Sequence, residues 1–177
     1  MSTLAYRAMG AAALDASTYE VVEFERPATR QALIIVLLSS LAAGVGAGSW
    51  DGPNVVTLAI VSGIALLSWL GWAALILFVG GTVFGERTTR VHFGELVRTI
   101  GFAATPGLIQ VFGLIPEVRR PVFIVSWIWM LAAMVVAVRQ ALDYRSTWRA
   151  LGVCVITLAV ALSTGIAVLL ALGQSVS

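Results

Sequence analysis

Residues Pro53–Phe84 form a run of 32 without one Asp, Glu, Lys or Arg. No other feature limits the fold so strongly. A bilayer core of about 30 Å is crossed by about 20 apolar residues in a helix, and this run exceeds that length. Four further apolar stretches follow or precede it. Across the chain, hydrophobic residues make up 59% and charged residues 11%, where a soluble domain carries about 25% charge. A soluble fold of 177 residues has too little interior for that much apolar surface. The solvent is lipid. Backbone groups in lipid must be satisfied within the spanning element, so the spans are helices.

Five spans are expected, at about 32–48, 56–82, 95–115, 121–138 and 150–173. The 53–84 run is too long for one upright helix and too short for two with a turn, so it reads as one tilted span. The N-terminal segment holds Arg7, Arg26 and Arg30. The link after the second span holds Arg87, Arg90 and Arg98, and the link after the fourth holds Arg139, Arg145 and Arg149. These nine arginines fall on one side, against Arg119 and Arg120 on the other. The positive-inside rule then places the N-terminus in the cytoplasm and the C-terminus outside. The fold class is an all-α integral membrane protein: residues 1–31 as a cytoplasmic segment with short amphipathic helices, and 32–173 as a five-helix transmembrane bundle. The first long apolar run starts at Ala32 behind Asp15, Glu20, Glu23 and Glu25, which is unlike a cleaved signal. Tyr19, Val21, Val22 and Phe24 are expected to cover the cytoplasmic mouth of the bundle. Trp50 suits the membrane interface. "IPEVRRP", 115–121, reads as a short outer link.

The third span contains "TIGFAATPGLIQ", 99–110. Pro106 removes a backbone hydrogen bond to residue 102, so the third helix is expected to kink there, and Pro106→Ala to straighten it. Gly101 and Gly107 admit a close neighbour, Phe102 packs, and Thr105 can satisfy a freed carbonyl. Gln110 is the one strongly polar side chain deep in this span and would line a transport path if there were one. Glu95, Arg98, Arg139 and Asp143 fall at the cytoplasmic ends of spans three and four. Arg139 and Asp143 are spaced to pair along a helix, and Arg98 is placed to reach Asp143, or Glu95 to reach Arg139, forming an ionic rim. The pairs Gly44/Gly48 and Gly81/Gly85 have the spacing of close helix contacts.

Catalytic chemistry finds no support. There is no G-x-S-x-G, no H-E-x-x-H and no acid pair within a span. Ser39, Ser40, Ser62, Ser68 and Ser126 lie in spans with no buried base, and serines there commonly bond a carbonyl or another helix. His92 is the only histidine. Glu86 and Glu95 flank it without a second histidine or ligand cysteine, so neither a metal nor a cofactor is expected. Cys154, the lone cysteine, reads as packing. The net charge of +2 and the lack of a basic, aromatic-interleaved stretch argue against nucleic acid.

"GFAATP", 101–106, resembles the Gly-aromatic-x-x-x-Pro motif on the third span of the Yip-domain family, the Ypt/Rab-interacting membrane proteins. The stretches 93–116, 128–150 and 25–47 are similar to its short bacterial branch, including the Arg-Gln-Ala-Leu-Asp run at 139–143. The resemblance implies a five-helix fold with a cytoplasmic N-terminus, and residence in a bacterial cytoplasmic membrane. Eukaryotic members bind prenylated GTPases and carry an Asp-Leu-x-Gly-Pro motif in a long N-terminal region. "WDGP", 50–53, lies after the first span instead, so GTPase binding is not expected here. The leading expectation is a non-enzymatic protein that organises membrane or partner proteins. Its partners would be the bilayer, another membrane protein or a second copy. The alternatives are a small permease or lipid-handling protein with a path at Gln110, and an accessory subunit of a larger membrane complex.

Overall fold

A computed structural model describes residues 3–48, 55–83 and 93–174. Trp50, Pro53, Gly85, Glu86, Arg87, Arg90 and His92 lie outside the described residues. Among those described, the elements are all helical: α1 (Thr3–Ala12), α2 (Ala16–Phe24), α3 (Ala28–Ala47), α4 (Val55–Phe78) running into a π turn (Val79–Val83), α5 (Phe93–Phe102), a 3-10 helix (Thr105–Leu114), α6 (Pro116–Ala141) and α7 (Thr147–Gln174). Four helices are long and apolar enough to cross a membrane. The pair made by α5 and the 3-10 helix makes a fifth if it counts as one bent span.

The α3 helix is the central column. Half of its apolar window is buried, against 17% for α4 and 22% for α7. Small residues make this possible: Ala28, Ala32, Ser39, Ser40 and Gly46 form the buried side, while Leu33, Ile34, Leu37, Leu38 and Leu41 face outward. The bent pair runs parallel to α3 over its length. A Cβ on Gly101 would stand 2.7 Å from the Cβ of Ala32, and one on Gly107 would strike Ser39. Further along, Gly46 meets the Gln110 carbonyl, and a Cβ on Gly113 would lie 3.0 Å from the Gly46 carbonyl. Small residues let the two backbones approach as they do in membrane helix pairs generally.

The glycine pairs behave differently from their spacing. Gly44 does face α4, at Ser62 and Leu58, but the second close contact of α3 is Gly46, not Gly48. Gly81 faces open space, whereas Gly80 packs under Leu142 and its carbonyl accepts from the Tyr144 hydroxyl at 2.9 Å. The outer link is also shorter than expected. Helix α6 already begins at Pro116, because proline suits the first helical position, where no N–H partner is needed. Arg119 then donates to the Gly113 carbonyl at 2.8 Å and to the Gly48 carbonyl, tying three chain ends together.

The N-terminal helices form a hairpin docked on the bundle. Helix α1 closes with Leu14 at φ 62, the Leu14 N–H bonded to Ala11 O at 3.1 Å and the Asp15 N–H to Gly10 O at 3.0 Å. This is the Schellman arrangement, usually built on glycine. Asp15 caps α2, accepting from the Ser17 N–H at 3.1 Å and the Thr18 hydroxyl at 2.8 Å. Tyr19 and Val22 are buried, while Val21 and Phe24 are exposed, so only half of the expected covering set faces the bundle.

Candidate functional site: the broken third span and its cavity

The bend between α5 and the 3-10 helix is a break. Helix α5 ends at Phe102, Ala103 and Ala104 form a turn, and the 3-10 helix starts at Thr105 with Pro106 in its first turn, bent 40° from α5. The expected kink at Pro106 therefore falls two to three residues earlier. Pro106 has no N–H to offer to Phe102, and the freed Phe102 carbonyl accepts from the Thr105 hydroxyl at 2.6 Å. Ten consecutive residues of 3-10 helix are unusual. Here neighbours fasten them. Gln110 is buried and donates from Nε2 to Ser126 Oγ at 3.0 Å, and Ser126 donates to the Pro106 carbonyl at 3.2 Å. Ser126, in α6, thus links the first turn of the segment to its middle.

Beside the break lies a cavity of about 300 Å³ walled by α3, α4, α6 and the Ala103–Gln110 segment. Its walls are mainly apolar, with Ser39, Ser40, Ser68 and Gln110 among them. Ile64 on α4 and Trp127 on α6 are exposed and also line it, so it opens to the outer surface between those helices. Among the described side chains of α7, the buried ones are Ala150, Val153, Cys154 and Thr157, in its first three turns. Two indoles face each other's neighbourhood with different fates. Trp72 donates to the Thr157 hydroxyl at 2.9 Å. Trp69 is only 8% exposed, lines the cavity, and its Nε1–H has no partner among the described residues. A buried indole N–H usually finds one.

The rim residues come together, but with different partners from those expected. Arg98 is buried. Its Nε donates to the Val22 carbonyl at 3.1 Å and the Glu23 carbonyl at 2.9 Å, its Nη2 to the same Glu23 carbonyl, and its Nη1 to Thr29 at 3.4 Å. The guanidinium thus terminates α2 instead of pairing with Asp143. Asp143 does not stand one helical turn from Arg139, because α6 ends at Ala141 and Asp143 sits at φ 50 in the left-handed region. It closes α6 with the Tyr144 N–H on Arg139 O at 3.0 Å. Arg139 instead donates to Thr147 at 3.2 Å. Burial and the carboxylates of Asp143 and Glu95 push the Glu23 carboxyl up to about 7, with Arg98 opposing. Glu23 was not singled out by the sequence. Neither was Trp69, whose signal was only an aromatic facing the same span as Ser62 and Ser68.

The Yip1 domain matches residues 16–169. The chain belongs to the Yip1-domain family. The match takes in α2 through most of α7, so the broken span, the cavity and the rim all fall within this Yip1 domain. No curated protein and no solved structure matches the chain. As a Yip1-family chain with several long apolar helices, it is an integral membrane protein.

Proposed function

We propose that this Yip1-domain protein is a non-enzymatic, five-span organiser of the bilayer, with its arginine-rich end in the cytoplasm, and that it holds a lipid chain in the cavity beside the broken third span. The observation that carries this reading is the unpartnered Trp69 N–H, buried in a mid-depth cavity open toward lipid. An apolar chain with one oxygen acceptor supplies what the site lacks. Sites of about 300 Å³ and upward take small organic ligands, typically with apolar walls and a few placed polar groups. Five crossings are supported by length. Ten α-helical residues rise about 15 Å and ten 3-10 residues about 20 Å, enough together for a core of about 30 Å. The family's association with membrane trafficking rather than catalysis agrees with this role.

The test compares wild type with Trp69→Phe and Ala65→Phe, a substitution that fills the cavity. Each is purified in native-membrane polymer discs and its retained lipids are quantified by mass spectrometry. Wild type is expected to keep a lipid that Ala65→Phe loses and Trp69→Phe retains less well. Identical lipid complements in all three would sink the reading. A stoichiometric protein partner released by Ala65→Phe would replace it with the subunit reading.

A further inference from the structure

The N-terminal hairpin reaches deeper than a surface segment would. At the start of α1, Thr3 accepts from Gln31 Nε2 at 3.4 Å, and Arg7 donates to Gln31 Oε1 at 2.8 Å, both at the first turn of α3. The far end of α1 lies elsewhere: Trp129 Nε1 donates to the Ala12 carbonyl at 2.7 Å. Trp129 precedes Arg139 by ten residues, about 15 Å along α6. Helix α1 therefore runs from the arginine-bearing end of the bundle to its mid-depth, packing against the 3-10 helix, α5 and α6. Helix α2 brings the chain back. Glu20 accepts from Gln140 at 2.9 Å, and the Val22 and Glu23 carbonyls take Arg98.

We propose that α1 and α2 are a re-entrant hairpin lying within a single leaflet, and that it acts as a wedge favouring membrane that bulges toward that leaflet. The side turned away from the bundle carries Tyr6, Met9, Leu14, Val21 and Phe24, all exposed, with Tyr6 at 72% and Phe24 at 78%. Met9 and Leu14 carry this apolar side away from the base, while Tyr6 and Phe24 stand next to Arg7 and Glu25 in the chain, at the base. The charges gather at the base instead: Arg7 pairs with Glu25, and Glu20 is held by Gln140. The hairpin is tied shut by the Tyr19 hydroxyl on the Ala11 carbonyl at 3.1 Å and by Gly10, which leaves no room for a side chain against Thr18. At the tip, Leu14 occupies a left-handed position where glycine or asparagine is usual. What leucine supplies there is an apolar side chain at the deepest point. Asp15, beside it, is the one charge at this depth in the hairpin. Its carboxylate accepts from Ser17 and Thr18, and charges in a bilayer draw in water and thin the leaflet locally. Each helix is about 10 Å across. Among the described residues, the opposite half of the bundle carries no such pair, so the cross-section is larger on the hairpin's side.

Depth and shape are tested separately. With Cys154 replaced by Ala, the single-cysteine variants Leu14→Cys (tip) and Thr3→Cys (base) are labelled with a small fluorophore. They are reconstituted in vesicles of phosphatidylethanolamine and phosphatidylglycerol. If Leu14→Cys does not fold, Ala13→Cys replaces it. A nitroxide at mid-acyl chain is expected to quench the tip several-fold more than iodide does on both faces, with the order reversed at the base. Iodide quenching the tip as strongly as the base would overturn the re-entrant placement. So would a tip reached by neither quencher, because protein would then cover it. For the wedge, the labelled wild-type protein is expected at several-fold higher density on small than on large vesicles. Equal density on both would overturn that part.

Discussion

Glu23 sits at the foot of α2 among Asp143, Glu95 and Glu20, with Arg98 close by, and its carboxyl is raised from 4.5 to about 7. A raised carboxyl binds its proton more tightly in the folded state than in the unfolded one. Stability is therefore fullest below 4.5 and is lost as pH rises through about 7. Glu23→Gln, which mimics the protonated form, should flatten that dependence in a thermal melt in detergent. A variant that keeps the wild-type pH profile would show that another group is responsible. Asp143 makes a second residue-scale case. Its backbone is left-handed, which Asp and Gly accept and a β-branched residue does not. Asp143→Gly should be tolerated, whereas Asp143→Val should cost about 1–2 kcal/mol. Equal losses for both would restore an ionic role for the side chain. Arg98 takes the α2 carbonyls and Arg139 the Thr147 hydroxyl, and Asp143 serves as a backbone turn. No glycine or proline marked the end of α6, and nothing along the chain showed that α2 returns to meet Arg98.

At the scale of elements, the bent pair of α5 and the 3-10 helix decides the packing. A Cβ on Gly101 would stand 2.7 Å from the Ala32 Cβ and 3.3 Å from its backbone, so Gly101→Leu has no room on the α3 side. Overpacking of this kind costs about 1–3 kcal/mol, and a lowered melting midpoint in detergent checks it. An unchanged midpoint would deny the close approach. Pro106→Ala is a different matter. The break lies at Ala103–Ala104 and is fastened by Thr105 on Phe102, by Gly107 against Ser39 and by Gln110 through Ser126. Restoring one N–H leaves those fastenings in place. Straightening is thus not expected from Pro106→Ala alone, and spin-label distances from the α5 start to the 3-10 helix end should stay as in wild type. A longer distance would show that proline itself sets the bend. Proline, glycine and threonine announced a deformed span in the sequence. The form of the deformation depends on Ser39 and Ser126, which belong to other helices and carry no local signal.

For the whole molecule, the apolar runs and the arginine pattern were enough to read a helical membrane bundle, because lipid leaves few alternatives. The path of residues 3–24 was not readable in that way. Their composition suits a membrane surface, and only the contacts of Ala12 with Trp129 and of Thr3 with Gln31 place α1 along the bundle. The cavity was equally hidden, since its walls come from α3, α4, α6 and the Ala103–Gln110 segment, which lie far apart along the chain. The most direct measurement is a cryo-electron microscopy structure of the protein in lipid nanodiscs, enlarged by a rigid binder to the arginine-rich rim. Lipid-chain density between α3, α4 and α6, with an oxygen within hydrogen-bonding reach of Trp69 Nε1, is the predicted result. A gap closed by side chains, with α4 moved onto α6 and no chain density at Trp69, would contradict the account.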